Sequence, residues 1–422
     1  MTASNIHRTV EAVWRMDAPK VIAGLARMLR DVGLAEELAQ DALVAALEKW
    51  PATGVPDRPG AWLTATAKNR ALDRLRRREL LDRSHAEIAR GMDDDQEAAV
   101  TALEEAMDDD VGDDLLRLIF TACHPVLSRE SRAALTLRML GGLTTDEIAR
   151  AFLAPEPTIA QRIVRAKRTL SEAGVEFELP RGADRAQRLG SVLEVIYLIF
   201  NEGYSATAGS DWMRPQLCEE ALRVGRVLAE LAPQEPEVHG LVALMEIQAS
   251  RAAARTKPNG DPILLLEQDR SRWDQLLIRR GLAALKRAEA LGGAVGPYAL
   301  QGAIAACHAR ARIAEDTDWR RIAKLYEALR ELTPSPIIDL NRAVAVSMAD
   351  GPAAGLAIVD RLVDDPMLRA YHLLPAVRGD LLFKLGRMSE AREEFERAAS
   401  MTRNEREQQV LRDRAAAAVA AS

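Results

Sequence analysis

The chain has 422 residues, of which 48% are hydrophobic, 28% are charged and 4% are aromatic. This length is too great for one compact core, so two to four domains are expected, and the abundance of Ala, Leu, Arg and Glu favours helices packed on helices. The net charge of −6 excludes a polybasic coat for nucleic acid, and no apolar run approaches the ~18–20 residues of a membrane span.

The cysteine pattern is typical of a reduced intracellular protein. Cys123, Cys218 and Cys307 are scattered, and the sequence contains no C-x-x-C motif. His124 follows Cys123, but no second pair of ligands lies nearby, so we expect neither a metal nor a cofactor. The first 15 residues lack the apolar segment of a signal peptide. These features predict a cytoplasmic protein.

The N-terminal region, residues 8–83, is predicted to be helical and ends in a basic run. Gly33 is expected to separate two amphipathic helices, the second of which runs from Leu34 to a stop before Pro51. Acidic and amide side chains lie largely off the apolar face of this second helix. They are Glu36, Glu37, Gln40, Asp41 and Glu48.

A turn-rich loop, PATGVPDRPG at 51–60, precedes a basic helix with Trp62 at its start. An aromatic ring at the head of a basic helix suits single-stranded DNA, because rings or loop pockets hold unstacked bases while arginines follow phosphates. For Trp62 alone, packing in the core is the better explanation. The polar surface of the helix comprises Lys68, Asn69, Arg70, Asp73, Arg74, Arg76, Arg77 and Arg78.

Residues 84–114 are predicted to form an acidic linker, because residues 91–114 contain no Lys or Arg. Such charge density resists burial and favours flexibility. Alternatively, the segment imitates nucleic acid and covers a basic groove when DNA is absent.

Residues 143–171 predict two short helices joined by a tight turn, within a domain spanning 115–175. Pro157 suits the first turn of the second helix. Polar residues near the start of that helix and cations behind them suit entry into a DNA major groove. An ordinary helical hairpin with a solvated basic face is the alternative. The expected inward side chains are Leu143, Ile148, Ala149 and Phe152 on the first helix and Ile159, Ile163 and Val164 on the second. The expected outward ones are Thr158, Gln161, Arg162, Arg165, Lys167 and Arg168.

Residues 180–422 form a long Ala- and Leu-rich array in which VLEVIYLIF (192–200) predicts a buried helix. The clearest repeat has Gly379 in a first helix, Gly386 at the turn and Phe395 in a second helix. These offsets match a tetratricopeptide repeat. Stacked repeats provide a concave binding surface, although a scaffold without a ligand fits the same periodicity.

Two polar clusters interrupt this array, NEGYS at 201–205 and EQDRSRWD at 267–274. A buried ionic lock is favoured over a partner site for both. If the clusters instead form an interface, the residues expected in it are Glu202, Tyr204, Asp269, Arg270 and Trp273. The chain offers no nucleophile, phosphate loop or metal triad, so an enzyme is not expected.

Two motifs together resemble a known family over roughly residues 8–172. AEELAQDALVAALEKW and AWLTATAKNRALDRLRRR resemble region 2 of bacterial extracytoplasmic-function (ECF) sigma factors of the sigma-70 family. LSRESRAALTLRMLGGLTTDEIARAFLAPEPTIAQRIVRAKRTL is similar to their region 4. YLIFNEGYSA, LLLEQDRSRWDQLLI and YALQGAIAACHA resemble the C-terminal extension of one subgroup. The resemblance implies an all-α fold with a region 2 bundle, a region 4 helix-turn-helix and a tetratricopeptide-like array.

The resemblance further implies that the protein directs core RNA polymerase to promoters. Region 4 would contact the −35 duplex through Glu156, Thr158, Gln161, Arg162, Arg165 and Arg168. Region 2 would open and hold the −10 element through Trp62, Lys68, Asn69, Arg70, Arg74, Arg76 and Arg77, with loop 51–60 enclosing a flipped base. The polymerase β′ clamp and β flap are the implied protein contacts, with Glu37, Gln40, Asp41 and Glu48 on the clamp side. Asp73 departs from the family pattern, and we expect it to pair with Arg76 or Arg77.

The extension is expected to pack on the sigma domains and to modulate their activity. The alternative function is a one-component, dimeric DNA-binding regulator with the array as its sensor. Such a regulator needs neither the basic helix headed by Trp62 nor a helix that docks on polymerase.

Overall fold

The computed structural model describes residues 3–86, 111–205, 208–209, 213–258 and 261–420. The chain folds into two compact units, Met1–Ile196 and Tyr197–Ser422. Across the described residues the fold is all-α, as expected, and the one regular exception is a two-residue parallel pair of strands, β1 (Ala208–Gly209) and β2 (Arg403–Asn404). No helix among these residues is long and apolar enough to cross a membrane.

Eight helices belong wholly or partly to the first unit as the structure describes it. They are α1 (Ala3–Leu29), α2 (Val32–Thr53), α3 (Pro59–Ala86), α4 (Val111–Ala122), α5 (Arg129–Met139), α6 (Thr145–Ala151), α7 (Glu156–Glu172) and α8 (Gly182–Tyr204).

The break between α1 and α2 lies earlier than the sequence predicts. The chain turns at Arg30, which has a positive φ of 52°, and Asp31 caps α2 by accepting a hydrogen bond from the Leu34 N–H at 3.0 Å. Gly33 therefore lies in the first turn of α2 rather than between the helices. The sequence also predicts that α2 ends before Pro51, but the helix continues to Thr53 and contains Pro51 in its last turn.

The first half of α8 completes the core of the first unit. Arg132 on α5 donates to the Ser191 hydroxyl, which in turn donates to the Cys123 carbonyl at 2.6 Å. Arg188 stacks on the Phe120 ring at 5.8 Å. Val192, Val195 and Ile196 are fully buried, as VLEVIYLIF predicts. The first unit thus extends beyond the helix-turn-helix.

The second unit is a succession of paired helices. They are α9 (Pro215–Leu231), α10 (Pro236–Ala249), α11 (Gln275–Ala290), α12 (Pro297–Arg310), α13 (Trp319–Leu332), α14 (Pro336–Asp350), α15 (Pro352–Val359), α16 (Leu373–Lys384), α17 (Met388–Met401) and α18 (Glu405–Ala420).

Small residues let these helices approach closely. A Cβ at Gly240 would lie 2.6 Å from the Ala299 nitrogen, and one at Gly379 would lie 2.9 Å from the Phe395 ring. Gly386 has a φ of 75° in the turn between α16 and α17. The positions expected for Gly379, Gly386 and Phe395 in the last repeat are therefore confirmed.

Candidate nucleic-acid interface

The helix-turn-helix forms as the sequence predicts. Thr144 caps α6 in a capping box, in which its side chain accepts from the Glu147 N–H and the Glu147 carboxylate accepts from the Thr144 N–H. The turn contains Leu153 at a positive φ of 47°. Pro157 lies in the first turn of α7. These local features fix where the second helix starts and in which direction it runs.

One face of α7 is buried, and its members follow a spacing of four, three and four residues. They are Ile159, Ile163, Ala166 and Leu170. Val164 was expected to be buried, but it is 63% exposed, because it lies about 100° around the helix from Ile163 and so falls off this face.

The polar face of α7 is open to solvent. Gln161 and Arg165 are exposed, and Arg162 is partly buried at its edge. Glu156, Thr158 and Arg168 are also exposed. Arg168 pairs with Glu172 at 2.6 Å, but their side chains are 75% and 61% exposed, so this pair adds little stability.

Lys167 does not belong to that open face. Its ammonium group binds Glu36 on α2, and the Glu36 carboxylate also accepts from the Arg138 guanidinium at 2.8 Å. Glu36 is only 3% exposed, although its position off the apolar face predicted a surface residue. The structural role of Glu36 is therefore one that the sequence pattern missed.

Two further ion pairs connect the N-terminal helices to the helix-turn-helix domain. Arg15 on α1 binds Glu147 at 2.6 Å, and Arg27 on α1 binds Asp114 on α4 at 3.2 Å. Asp114 is 3% exposed. Together with the Glu36 contact, they hold α7 against α2 within one compact unit.

The basic helix α3 begins at Pro59, three residues before Trp62. The Trp62 ring is partly buried and meets the Trp50 ring edge-on at 5.4 Å. Trp50 is the buried partner at 1% exposure, so Trp62 packs on the core while keeping part of its surface open. Both explanations of Trp62, packing and base contact, are compatible with this geometry.

The polar residues of α3 are mostly accessible. Exposed ones are Asn69, Asp73, Arg74, Arg76 and Arg77, and partly buried ones are Lys68 and Arg70. Arg70 lies 3.8 Å from Asp41. The expected pairing of Asp73 with Arg76 or Arg77 is wrong, since the described residues show no such ion pair. A solvated pair gains too little to hold two mobile side chains together.

A cleft of about 950 Å³ separates α2, α3 and α7. Both helices that the sequence assigns to DNA binding line this cleft. Their cations there are Arg70, Arg74, Arg77, Lys167 and Arg168, and the acidic residues in its wall are Asp31, Glu37, Asp41 and Asp73. Most of the predicted acidic linker, residues 87–110, lies outside the described residues. The hypothesis that this linker covers a basic groove therefore stays a prediction.

Three family models match the chain: sigma-70 region 2 over residues 13–80, sigma-70 region 4 over 117–170, and a family of unknown function (DUF6596) over 188–289. An uncharacterized protein of Rhizobium meliloti is 44% identical over 398 residues, which is 93% of this chain and 92% of that protein. The probable ECF RNA polymerase sigma factor SigI of Mycobacterium tuberculosis is 27% identical over 169 residues, covering 40% of this chain and 57% of that protein.

The chain is an ECF sigma factor of the sigma-70 family. It carries a C-terminal extension and acts in transcription initiation. Its domains imply core RNA polymerase and promoter DNA as partners, and sigma factor families are generally not enzymes.

In this sigma factor, the residues assigned to the polymerase contact lie on one stripe of α2. Glu37, Asp41 and Glu48 are exposed and Gln40 is partly buried. Val44 lies among them and is 49% exposed. Positions three and four apart share a helix face, so these residues form a single surface with an apolar centre. The sequence pattern did not single out Val44.

The polar clusters of the extension are engaged within the second unit. Glu202 binds Arg214, and Tyr204 accepts a hydrogen bond from Arg251. Arg270 is 8% exposed and donates to the carbonyls of His308 and Ala311 at 2.9 Å. Trp273 is buried, and Asp269 is exposed and caps a short 3₁₀ helix. Arg270 also donates to the Thr317 hydroxyl at 2.9 Å, so this buried guanidinium binds carbonyl and hydroxyl oxygens rather than carboxylates.

Proposed function

We propose that α7 contacts the −35 duplex and that α3 opens and holds the −10 element. The accessible Gln161, Arg162 and Arg165 support the first role, because Gln and Arg make the commonest specific contacts with base edges. The exposed arginines of α3 behind a half-open Trp62 ring support the second. Glu156, Thr158 and Arg168 complete the −35 surface, and Lys68, Asn69, Arg70, Arg74, Arg76 and Arg77 complete the −10 surface.

The α2 stripe around Val44 is proposed to dock on the β′ clamp of core polymerase. Exposed acidic side chains around one apolar residue suit a partner surface that is basic with an apolar centre. The β flap is the proposed contact of region 4. Because polymerase and promoter DNA are cytoplasmic in bacteria, the protein is proposed to act there.

The packing of α7 against α2 keeps the two proposed DNA-binding helices, α3 and α7, close together. The −35 and −10 elements lie about 25 base pairs apart, which is roughly 85 Å at 3.4 Å per base pair. Helices joined through one buried carboxylate, Glu36, cannot reach both elements at once. We therefore propose that the described arrangement is a closed form and that polymerase or promoter binding separates region 4 from region 2.

Replacing Trp62 with Ala is expected to reduce promoter opening roughly tenfold, because losing a base-stacking contact costs ~1–3 kcal/mol. Asn69→Ala should reduce opening as well, because it removes a hydrogen-bonding side chain assigned to the −10 strand. Binding to core polymerase should not change, since α2 carries the proposed docking surface. Permanganate footprinting of the −10 region measures opening, and Lys49→Ala on exposed α2 is the control. Normal opening by both variants would contradict a role of α3 in opening the −10 element.

The extension is proposed to modulate transcription. Removing it should change the rate of run-off transcription several-fold in either direction. The truncation must end after Ile196 rather than near Pro180, because residues 188–196 complete the first unit. A truncated protein that matches the full-length rate under every condition would contradict the proposal. The predicted contact between the polar clusters of the extension and the sigma domains also stays a prediction. It involves Glu202, Tyr204, Asp269, Arg270 and Trp273. Substituting Asp269 tests it best, because this residue is exposed and the change should not disturb the core.

A further inference from the structure

Val164 is the one large hydrophobic side chain that is exposed along α7, a helix that the structure describes throughout. It is 63% exposed. At about 100° per residue, it lies roughly 100–160° around the helix from each of the four buried side chains. Its neighbours three residues before and four residues after are Gln161 and Arg168, which share its side of the helix. Val164 therefore belongs to the face that is proposed to contact the −35 duplex.

Packing within the first unit explains little of this apolar residue. Val164 lines the cleft between α2, α3 and α7 together with Leu34, Leu38 and Leu75. Because most of its surface remains open to solvent, contact with these leucines contributes little to the closed form. By contrast, the adjacent Ile163 is 5% exposed and belongs to the core. The Val164 side chain is thus left available to a ligand of α7.

The chemistry of the major groove narrows the choice of that ligand. The base edges there present mostly hydrogen-bond donors and acceptors, and the apolar group among them is the C5 methyl group of thymine. A valine placed against a donor or an acceptor would remove its water without replacing the lost hydrogen bond, which weakens binding. Against a thymine methyl group, the same side chain buries apolar surface on both partners.

The shape of valine also suits such a contact. Side chains branched at Cβ adopt one strongly preferred χ1 rotamer in a helix. Both methyl groups of Val164 therefore keep their positions relative to the backbone of α7, which buried Ile159 and Ile163 anchor to the domain. A contact that requires little ordering of the side chain retains more of the free energy gained by apolar burial.

We propose that Val164 contacts the C5 methyl group of one thymine in the −35 element and selects an A·T pair at that position. Gln161 and Arg165 would donate hydrogen bonds to neighbouring bases, while Val164 supplies the apolar contact. This inference rests on the proposed contact of α7 with the −35 duplex, and it adds a residue that the sequence pattern had assigned to the core.

The test replaces each thymine of the −35 element in turn, on either strand, with uracil, which lacks only the C5 methyl group. Competition binding is measured for polymerase holoenzymes that contain the full-length wild-type protein or its Val164→Ala variant. At one position, uracil should weaken binding of the wild type about fourfold, the effect of burying one methyl group, and should not affect Val164→Ala. Val126→Ala is the matched control and should behave as the wild type, because this valine is 44% exposed in the same domain but lies outside α7.

The comparison of thymine with uracil separates a base contact from a change in folding or opening. A purely structural effect of Val164→Ala would change binding to both duplexes by the same factor. The proposal is overturned if no uracil weakens binding of the wild type, or if wild type and Val164→Ala lose equally at every position. In either case a wild-type preference for the matched over a scrambled −35 duplex would leave the proposed role of α7 intact. Without that preference, the proposed role of α7 fails together with this inference.

Discussion

Replacing Gln161 and Arg162 with Ala is expected to abolish promoter-specific binding by region 4. Each base-contacting side chain contributes roughly 1–3 kcal/mol, so the double variant should lose at least about 30-fold in affinity for its −35 element. Both side chains lie off the buried face of α7, which Ile159 and Ile163 form. The fold should therefore be retained, and circular dichroism can check it.

Competition binding of the polymerase holoenzyme to matched and scrambled −35 duplexes measures this loss. Arg168→Ala should instead weaken binding to both duplexes equally and lower the salt dependence, because a phosphate contact carries no sequence information. Arg150→Ala is the control, since this arginine is 69% exposed on α6 and its ion pair among the described residues is with neighbouring Asp146. Full discrimination by the double variant would show that another element contacts the −35 bases.

Replacing Glu36 with Ala is expected to open the first unit. The substitution leaves Arg138 and Lys167 half-buried without their shared carboxylate, and breaking such a pair costs roughly 3–5 kcal/mol. Their side chains are 16% and 15% exposed, so solvent cannot fully replace the lost partner. We expect region 4 to leave region 2 in the free protein and promoter complexes to form faster.

Spin labels at Lys49→Cys on α2 and Ala173→Cys after α7 measure this opening by double electron–electron resonance. The native thiols will not interfere, because all three are buried. Burial raises the pKa of Cys123 to about 11 and that of Cys218 to about 12, so neither forms much reactive thiolate. An unchanged distance distribution in Glu36→Ala would show that this carboxylate does not hold the two regions together.

Local signals in the sequence were sufficient for the helix-turn-helix. Pro157 marks the start of α7, and the buried positions of α7 follow helical periodicity, apart from Val164. The capping box of Thr144 and Glu147 at the start of α6 is a further local signal, which the sequence analysis did not use. These features depend on neighbours within one or two turns. The sequence pattern therefore predicted both helices and the exposure of Gln161 and Arg165.

Contacts between distant segments could not be predicted in the same way. Glu36 lies among surface-type residues in the sequence, and its burial depends on the approach of Arg138 and Lys167, 102 and 131 residues later. Likewise, α8 appeared to begin the extension, yet its first half fills the core of the first unit through Val192 and Ile196. Helical periodicity shows that a face is apolar but does not show which domain covers it.

Run-off transcription with purified core RNA polymerase tests the central claim most directly. On a template that carries the protein's own promoter, full-length protein should yield one transcript with a defined start, and core polymerase alone should yield none. The yield should fall in the Gln161→Ala/Arg162→Ala variant. If the protein binds promoter DNA without core polymerase, as a dimer, and no specific transcript forms, the protein is a one-component regulator and the account is wrong.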